Sequence, residues 1–139
     1  MITYIDTSVL IKLLISEPGT AEAAVIWDAP DVLACTRLGH VEARAALTAA
    51  HRQQQIADGV LSEALAGLEM LWAQLSIVEI DDELMRRAGD MADQRCLRGY
   101  DAVHLAAAHH LGADVFASAD RKLCTAASDS GLHVANPTG

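Results

Sequence analysis

Long apolar runs are missing from this sequence. Its uninterrupted stretches, such as Ala23-Ala24-Val25-Ile26-Trp27 and Leu105-Ala106-Ala107-Ala108, fall far short of the roughly 18 residues needed to span a bilayer. The opening residues Met1-Ile2-Thr3-Tyr4-Ile5-Asp6 lack the basic start and long apolar centre of a secretion signal. Cysteine is sparse: Cys35, Cys96 and Cys124 are odd in number and never spaced C-x-x-C. That excludes a disulfide framework and a thiolate zinc site, and fits a reducing cytosol. Positive charge is scarce too, with ten Lys and Arg against nineteen Asp and Glu and a formal net charge of −9. A broad basic footprint for gripping nucleic acid is therefore excluded. An enzyme whose acids hold a divalent cation is not. There is no Walker A loop, no G-x-G-x-x-G and no G-x-S-x-G elbow. The six histidines, His40, His51, His104, His109, His110 and His133, show no zinc-site spacing.

What the sequence does have is the balance of a packed globule, 52% apolar and 21% charged over 139 residues. That length suits one domain and is too short for two independent cores. Residues 1–135 are expected to form it, with 136–139 as a loose tail. Ile2–Ile5 is a short, β-branched and aromatic run ended by Asp6-Thr7-Ser8, which predicts a buried strand feeding a helix N-cap. Short helices over 9–15 and 20–27 follow, stopped at Glu17-Pro18-Gly19 and before Ala29-Pro30. A strand is predicted within 31–36, then two long helices over 37–54 and 57–75. The second carries Val60, Leu61, Ala64, Leu65, Leu68, Leu71, Trp72 and Leu75 on one stripe. A strand over 77–80 leads to a helix capped by Asp81 or Asp82 and running to about Arg95. The acids between Glu79 and Asp93 read as its solvated face and N-terminal turn. A helix over 100–111 with Gly112 at its C-cap, a strand over 115–118, a helix from Asp120 and a strand over 132–134 complete the chain.

Short apolar strands alternating with helices predict an α/β/α sandwich around a parallel sheet. In such sheets ligands gather beyond the carboxyl ends of the strands. Asp6 and Asp120 follow strands at that edge, and Asp101 begins a helix feeding the strand of Phe116, so it lies toward the same edge. Each suits an N-cap on its own. Glu42 shares a helical face with Leu38, Ala45, Ala46 and Ala49, where an acid is costly to bury alone. It either pairs with Arg37, Arg44 or His40 at the boundary, or points into the crevice. Several carboxylates in one crevice repel and call for a cation, and oxygen-only ligands select Mg²⁺ or Mn²⁺ over zinc.

Four segments carry a family resemblance. Tyr4-Ile5-Asp6-Thr7-Ser8-Val9-Leu10 resembles the opening motif of PIN-domain proteins, and Glu42 within Gly39-His40-Val41-Glu42-Ala43-Arg44 matches their helical glutamate. Tyr100-Asp101-Ala102-Val103-His104-Leu105-Ala106-Ala107-Ala108 is similar to their third acidic motif and Ser118-Ala119-Asp120-Arg121-Lys122-Leu123 to their fourth. In order, spacing and coverage, from Ile2 to Val134, they most resemble the VapC ribonuclease toxins of prokaryotic type II toxin–antitoxin pairs. The resemblance implies a five-stranded parallel sheet and a cytoplasmic, metal-dependent endoribonuclease. It implies that Asp6, Glu42, Asp101 and Asp120 converge on Mg²⁺ or Mn²⁺, that cleavage leaves a 5′-phosphate and a 3′-hydroxyl, and that the chain forms a homodimer. It also implies a cognate antitoxin, for which the apolar faces of the 9–15 and 57–75 helices offer a groove. Many relatives have a further acid two residues after the last one, where this chain has Lys122. Arg98 and Lys122 are candidates for phosphate contacts, Thr7 and Ser118 for supporting hydroxyls. Two other readings stand beside this one. A catalytically silent domain of the same fold would bind an antitoxin or RNA without cleaving it. A receiver- or phosphatase-type phosphoryl-transfer domain lacks support, because Ser8 stands where Asp-x-Asp needs its second acid and no acidic pair follows the first strand.

Overall fold

The computed structural model describes residues Met1 to Gly139. The elements run β1 (Ile2–Ile5), α1 (Thr7–Leu14), α2 (Thr20–Asp28), β2 (Val32–Thr36), α3 (Leu38–Arg52), α4 (Asp58–Trp72), β3 (Ser76–Val78), α5 (Asp82–Arg95), α6 (Gly99–Leu111), β4 (Val115–Ala117), α7 (Arg121–Asp129) and β5 (His133–Ala135). The five strands form one sheet in the order β3-β2-β1-β4-β5, every pair parallel. Strand residues alternate between two cores, as the period of two requires. Tyr4, Ala34 and Phe116 face one with residues of α5, α6 and α7. Ile5, Cys35 and Ala117 face the other with Val9, Leu10, Ala23 and Leu75. A sheet buried on both faces explains why its strands are nearly all apolar. The expected three-layer arrangement is the one the chain adopts.

Two helices pack so as to present acids at the carboxyl edge of this sheet. In α6 the seven residues from Ala102 to Ala108 are all buried. Its alanines let it lie close against the sheet, as a helix hydrophobic all round must. In α3, Gly39 is a close approach: a Cβ there would fall 2.5 Å from the Cys35 Sγ and 3.5 Å from the Trp72 ring. A larger residue would hold α3 away from the end of β2.

Element ends differ from the sequence expectation by a few residues. β3 stops at Val78, leaving Ile80 partly exposed. α6 starts at Gly99, so Asp101 sits inside its first turn instead of capping it. The Asp101 carboxylate accepts from Arg98 Nε at 3.0 Å. Residues 136–139 lie against Pro18, Gly19 and Glu22, with Pro137 buried.

Candidate active site

Because every strand is parallel, all five carboxyl ends meet one edge of the sheet. The chain winds from β1 toward β2 and β3 on one side and reaches β4 and β5 on the other. The crevice at that reversal lies beyond β1 and β4. Asp6 is the first residue past β1, and its amide donates to the Ala117 carbonyl at 3.1 Å, extending the β1–β4 pairing. Its carboxylate caps α1. Oδ1 accepts from the Ser8 hydroxyl at 2.5 Å and the Val9 amide at 3.4 Å, and Oδ2 from the Ser118 hydroxyl at 2.6 Å. Asp6 is only 5% exposed. Burial pushes its carboxyl above the ordinary value, outweighing the opposing influence of His104 and of these donors.

Ser118 links two acids. Fully buried, it gives its proton to Asp6 and accepts the Asp120 amide at 3.0 Å. Its hydroxyl therefore orients Asp6 and does not face solvent. Asp120 caps α7 through the Leu123 amide at 3.2 Å. Its other oxygen lies 3.5 Å from the Arg98 guanidinium, which also holds Asp101. Arg98 thus bridges the third and fourth acids, with its guanidinium 4.9 Å above the Tyr100 ring. Lys122 pairs with none of the acids. It lines a hollow of about 300 Å³ with Gln94, Arg95, Thr125, Ala126 and Asp129.

Glu42 comes from the second turn of α3. None of its expected partners holds it: Arg37 pairs with Glu79, and His40 meets Glu69 at 2.6 Å and packs edge-on against Trp72. Oε1 instead accepts from the Thr7 hydroxyl at 2.8 Å and meets His104 Nε2 at 2.5 Å. Burial alone would raise this carboxyl, but the His104 contact and the Thr7 hydroxyl together bring it below the usual value. His104 was not among the residues the sequence singled out for the site. The signal that could have revealed it is its place as the one polar residue in the buried run Ala102–Ala108, three residues after Asp101.

The four acids therefore occupy one edge, joined through hydrogen-bonded neighbours. They are not drawn into a cage, since no three His, Cys, Asp or Glu side chains stand close enough to enclose an ion unaided. Each carboxylate is instead held by a hydroxyl, amide, imidazole or guanidinium. The donor set is all oxygen, and Arg98 already shows that Asp101 and Asp120 attract a cation. Chemically that fits a hard divalent ion that keeps part of its water shell. The widest hollow on the molecule, about 630 Å³ between Arg37, Leu38, His40, Val41, Trp72 and Ile80, contains none of the acids. No helix is long and apolar enough to cross a membrane.

A parallel five-stranded sandwich with Asp6 just past β1, Asp120 just before α7, and Glu42 and Asp101 on α3 and α6 is the arrangement of a PIN domain. The PIN-domain family model matches residues 3–128, and the chain belongs to that family. Within it the chain is a homologue of the VapC ribonucleases. It is 39% identical over 136 residues to ribonuclease VapC45 of Mycobacterium tuberculosis (strain CDC 1551 / Oshkosh), covering 96% of this chain and 94% of the relative. Among solved structures, PAE2754 from Pyrobaculum aerophilum superposes with a TM-score of 0.72 at 22% identity, covering 95% of this chain and 82% of that one. A toxin–antitoxin complex from Klebsiella pneumoniae gives 0.67 at 19% identity, covering 97% of each chain.

Proposed function

We propose that this chain is the ribonuclease toxin of a type II toxin–antitoxin pair, with Asp6, Glu42, Asp101 and Asp120 holding Mg²⁺ or Mn²⁺. The observation that carries the reading is Asp6. It is an almost fully buried carboxylate at the sheet's reversal point, wired through Ser118 to Asp120 and raised by burial toward its neutral form. A cap needs no such depth. A cation ligand gains from it, because in a less polar setting the attraction to a positive ion is stronger. When bound, the ion would lower the pKa of a water and offset charge developing on the scissile phosphate.

The residues divide the remaining tasks. Ser8 and Ser118 fix both oxygens of Asp6, and Thr7 fixes Glu42. Asp101 or Glu42 accepts the proton of the attacking water. Arg98, which bridges Asp101 and Asp120, would be released toward a phosphate when a divalent ion takes over those carboxylates, and Lys122 would meet the strand further along. Cleavage leaves a 5′-phosphate and a 3′-hydroxyl. Residues 1–135 act as one nuclease domain, and two copies associate as a homodimer. Kinship with VapC ribonucleases and the likeness in fold to the Klebsiella complex support a cognate antitoxin as partner. Its seat is the flank of α1 and α4, where Ile11, Leu14, Leu61 and Leu65 are only partly covered and Val60 is exposed.

The test is direct. Purified protein is incubated with total RNA in Mg²⁺, Mn²⁺ or EDTA, beside Asp6→Asn and Asp101→Asn. Cleavage to 5′-phosphorylated fragments is expected with either metal, and none with EDTA or either variant. Full cleavage by Asp6→Asn, or cleavage indifferent to EDTA, overturns the assignment.

A further inference from the structure

Behind the acids runs a buried chain of hydrogen bonds. The Thr36 amide donates to the Tyr4 hydroxyl at 3.1 Å, that hydroxyl meets His104 Nδ1 at 2.7 Å, and His104 Nε2 meets Glu42 Oε1 at 2.5 Å. Tyr4 and His104 are sealed from solvent. The Glu42 carboxylate can only accept, so His104 Nε2 carries a proton and donates to it, while the Tyr4 hydroxyl, able to give or take a proton, meets Nδ1. Thr7 donates to the same oxygen. Oε1 thus takes both donors, while Oε2 accepts no hydrogen bond from the protein.

The placement of the members gives this chain its meaning. Tyr4 precedes Asp6 by two residues at the end of β1, His104 follows Asp101 by three on α6, and Glu42 is itself on α3. One line of contacts therefore sets the register of the three elements that bear three of the four acids. Neither Tyr4 nor His104 is exposed to a substrate. We propose that His104, held by Tyr4, is a positioning residue: it pins Oε1 of Glu42 so that Oε2 alone is offered to the catalytic cation. This rests on the metal-dependent reading above. A glutamate left free on a helix must lose rotamer freedom when it binds, whereas one already pinned does not. Partners that orient a metal-binding side chain in this way typically govern affinity by about 10–100-fold.

The experiment measures Mn²⁺ binding to the full-length, RNA-free protein by calorimetry at 10 °C, with melting temperatures recorded in parallel. His104→Leu removes both contacts and should weaken Mn²⁺ about 10–100-fold. His104→Gln, whose amide can reach Glu42 from near the Nε2 position, should stay within about threefold of wild type. His104→Asn, which keeps the Tyr4 side and falls short of Glu42, should behave like His104→Leu. Tyr4→Phe leaves the ring free to turn and should fall between. If His104→Leu does not fold, the contrast between Gln and Asn decides the matter. Equal Mn²⁺ affinity in the Gln and Asn variants, with only melting temperature affected, overturns the proposal and leaves a purely structural role. Wild-type protein that cleaves RNA and binds Mn²⁺ while the variants bind equally well sinks this inference alone. Wild-type protein that does not bind Mn²⁺ sinks the metal-dependent reading and this inference with it.

Discussion

Gly39 offers a sharp test of how α3 is seated, because the geometry names the atom in the way. A Cβ at this position would lie 2.5 Å from Cys35 Sγ, about 1 Å inside the roughly 3.5–4.0 Å of comfortable contact. Both residues are buried, and burial pushes the Cys35 thiol up to about 12, so the sulfur stays neutral with no charge to redirect it. Gly39→Ala should cost about 1–3 kcal/mol in overpacking, partly offset by about 0.5–1 kcal/mol of helix propensity. Cys35→Ala alone should cost about 1 kcal/mol for the lost buried sulfur. Combined, the second change makes room for the first, and the double variant should return to within about 1 kcal/mol of wild type by this arithmetic. Urea denaturation of the four proteins gives the coupling energy. Mn²⁺ binding should follow the same pattern, because Glu42 lies three residues further along α3 and moves with it. A coupling below about 0.5 kcal/mol, the ordinary scatter of additive sites, would refute the claim that this contact sets the position of α3.

Three other outcomes are expected. Phe116 stacks on Tyr4 with ring centroids 5.5 Å apart, both fully buried, so Phe116→Ala should cost about 3–5 kcal/mol and lower the melting temperature by about 10 °C or more; a drop of only a degree or two would contradict the packing. Arg98→Ala removes the guanidinium that bridges Asp101 and Asp120, so Mn²⁺ should bind the RNA-free variant several-fold more tightly while KM for RNA rises, and unchanged values of both would show that Arg98 acts on neither. Burial holds the Asp6 carboxyl above its ordinary 3.8, so the metal-free folded protein keeps a proton there that the unfolded chain has released. This contribution to stability is full below that ordinary value and is lost as pH rises through the higher folded one. Melts in EDTA should show wild type losing ground to Asp6→Asn as pH rises above the ordinary 3.8, with Mn²⁺ restoring it, and a gap that does not vary with pH would count against the assignment.

Much of the architecture was legible in the sequence because local rules dictate it. Ile2–Ile5 and Val32–Cys35 are short apolar runs that only a sheet covered on both faces accommodates, and the parallel order follows from the helices between them. Asp6 and Asp120 could be placed because an acid just after a strand and just before a helix has one backbone role, and both fill it as N-caps. Glu42 was legible as an anomaly on a small, apolar face, yet its partner was not. The candidates were neighbours in sequence, Arg37, Arg44 and His40, whereas the residue that holds it is 62 positions away. Spacing along one helix finds side chains on the same face and is blind to what the opposing element presents.

That division has a physical cause. Acids at element boundaries are set by capping and by the direction of the chain, which a few consecutive residues encode. The wiring that aims them depends on how α6 lies on the sheet. A shift of one residue turns a helix by about 100°, enough to carry His104 away from both Tyr4 and Glu42. What holds α6 in register is the buried run from Ala102 to Ala108 against Tyr4 and Phe116, a matter of shape that no periodicity records. The four carboxylates are thus placed at the sheet edge by local sequence, while the contacts that aim Glu42 are stored in packing between segments about a hundred residues apart. A relative could keep all four acids and still lose activity through a single larger side chain beneath α6.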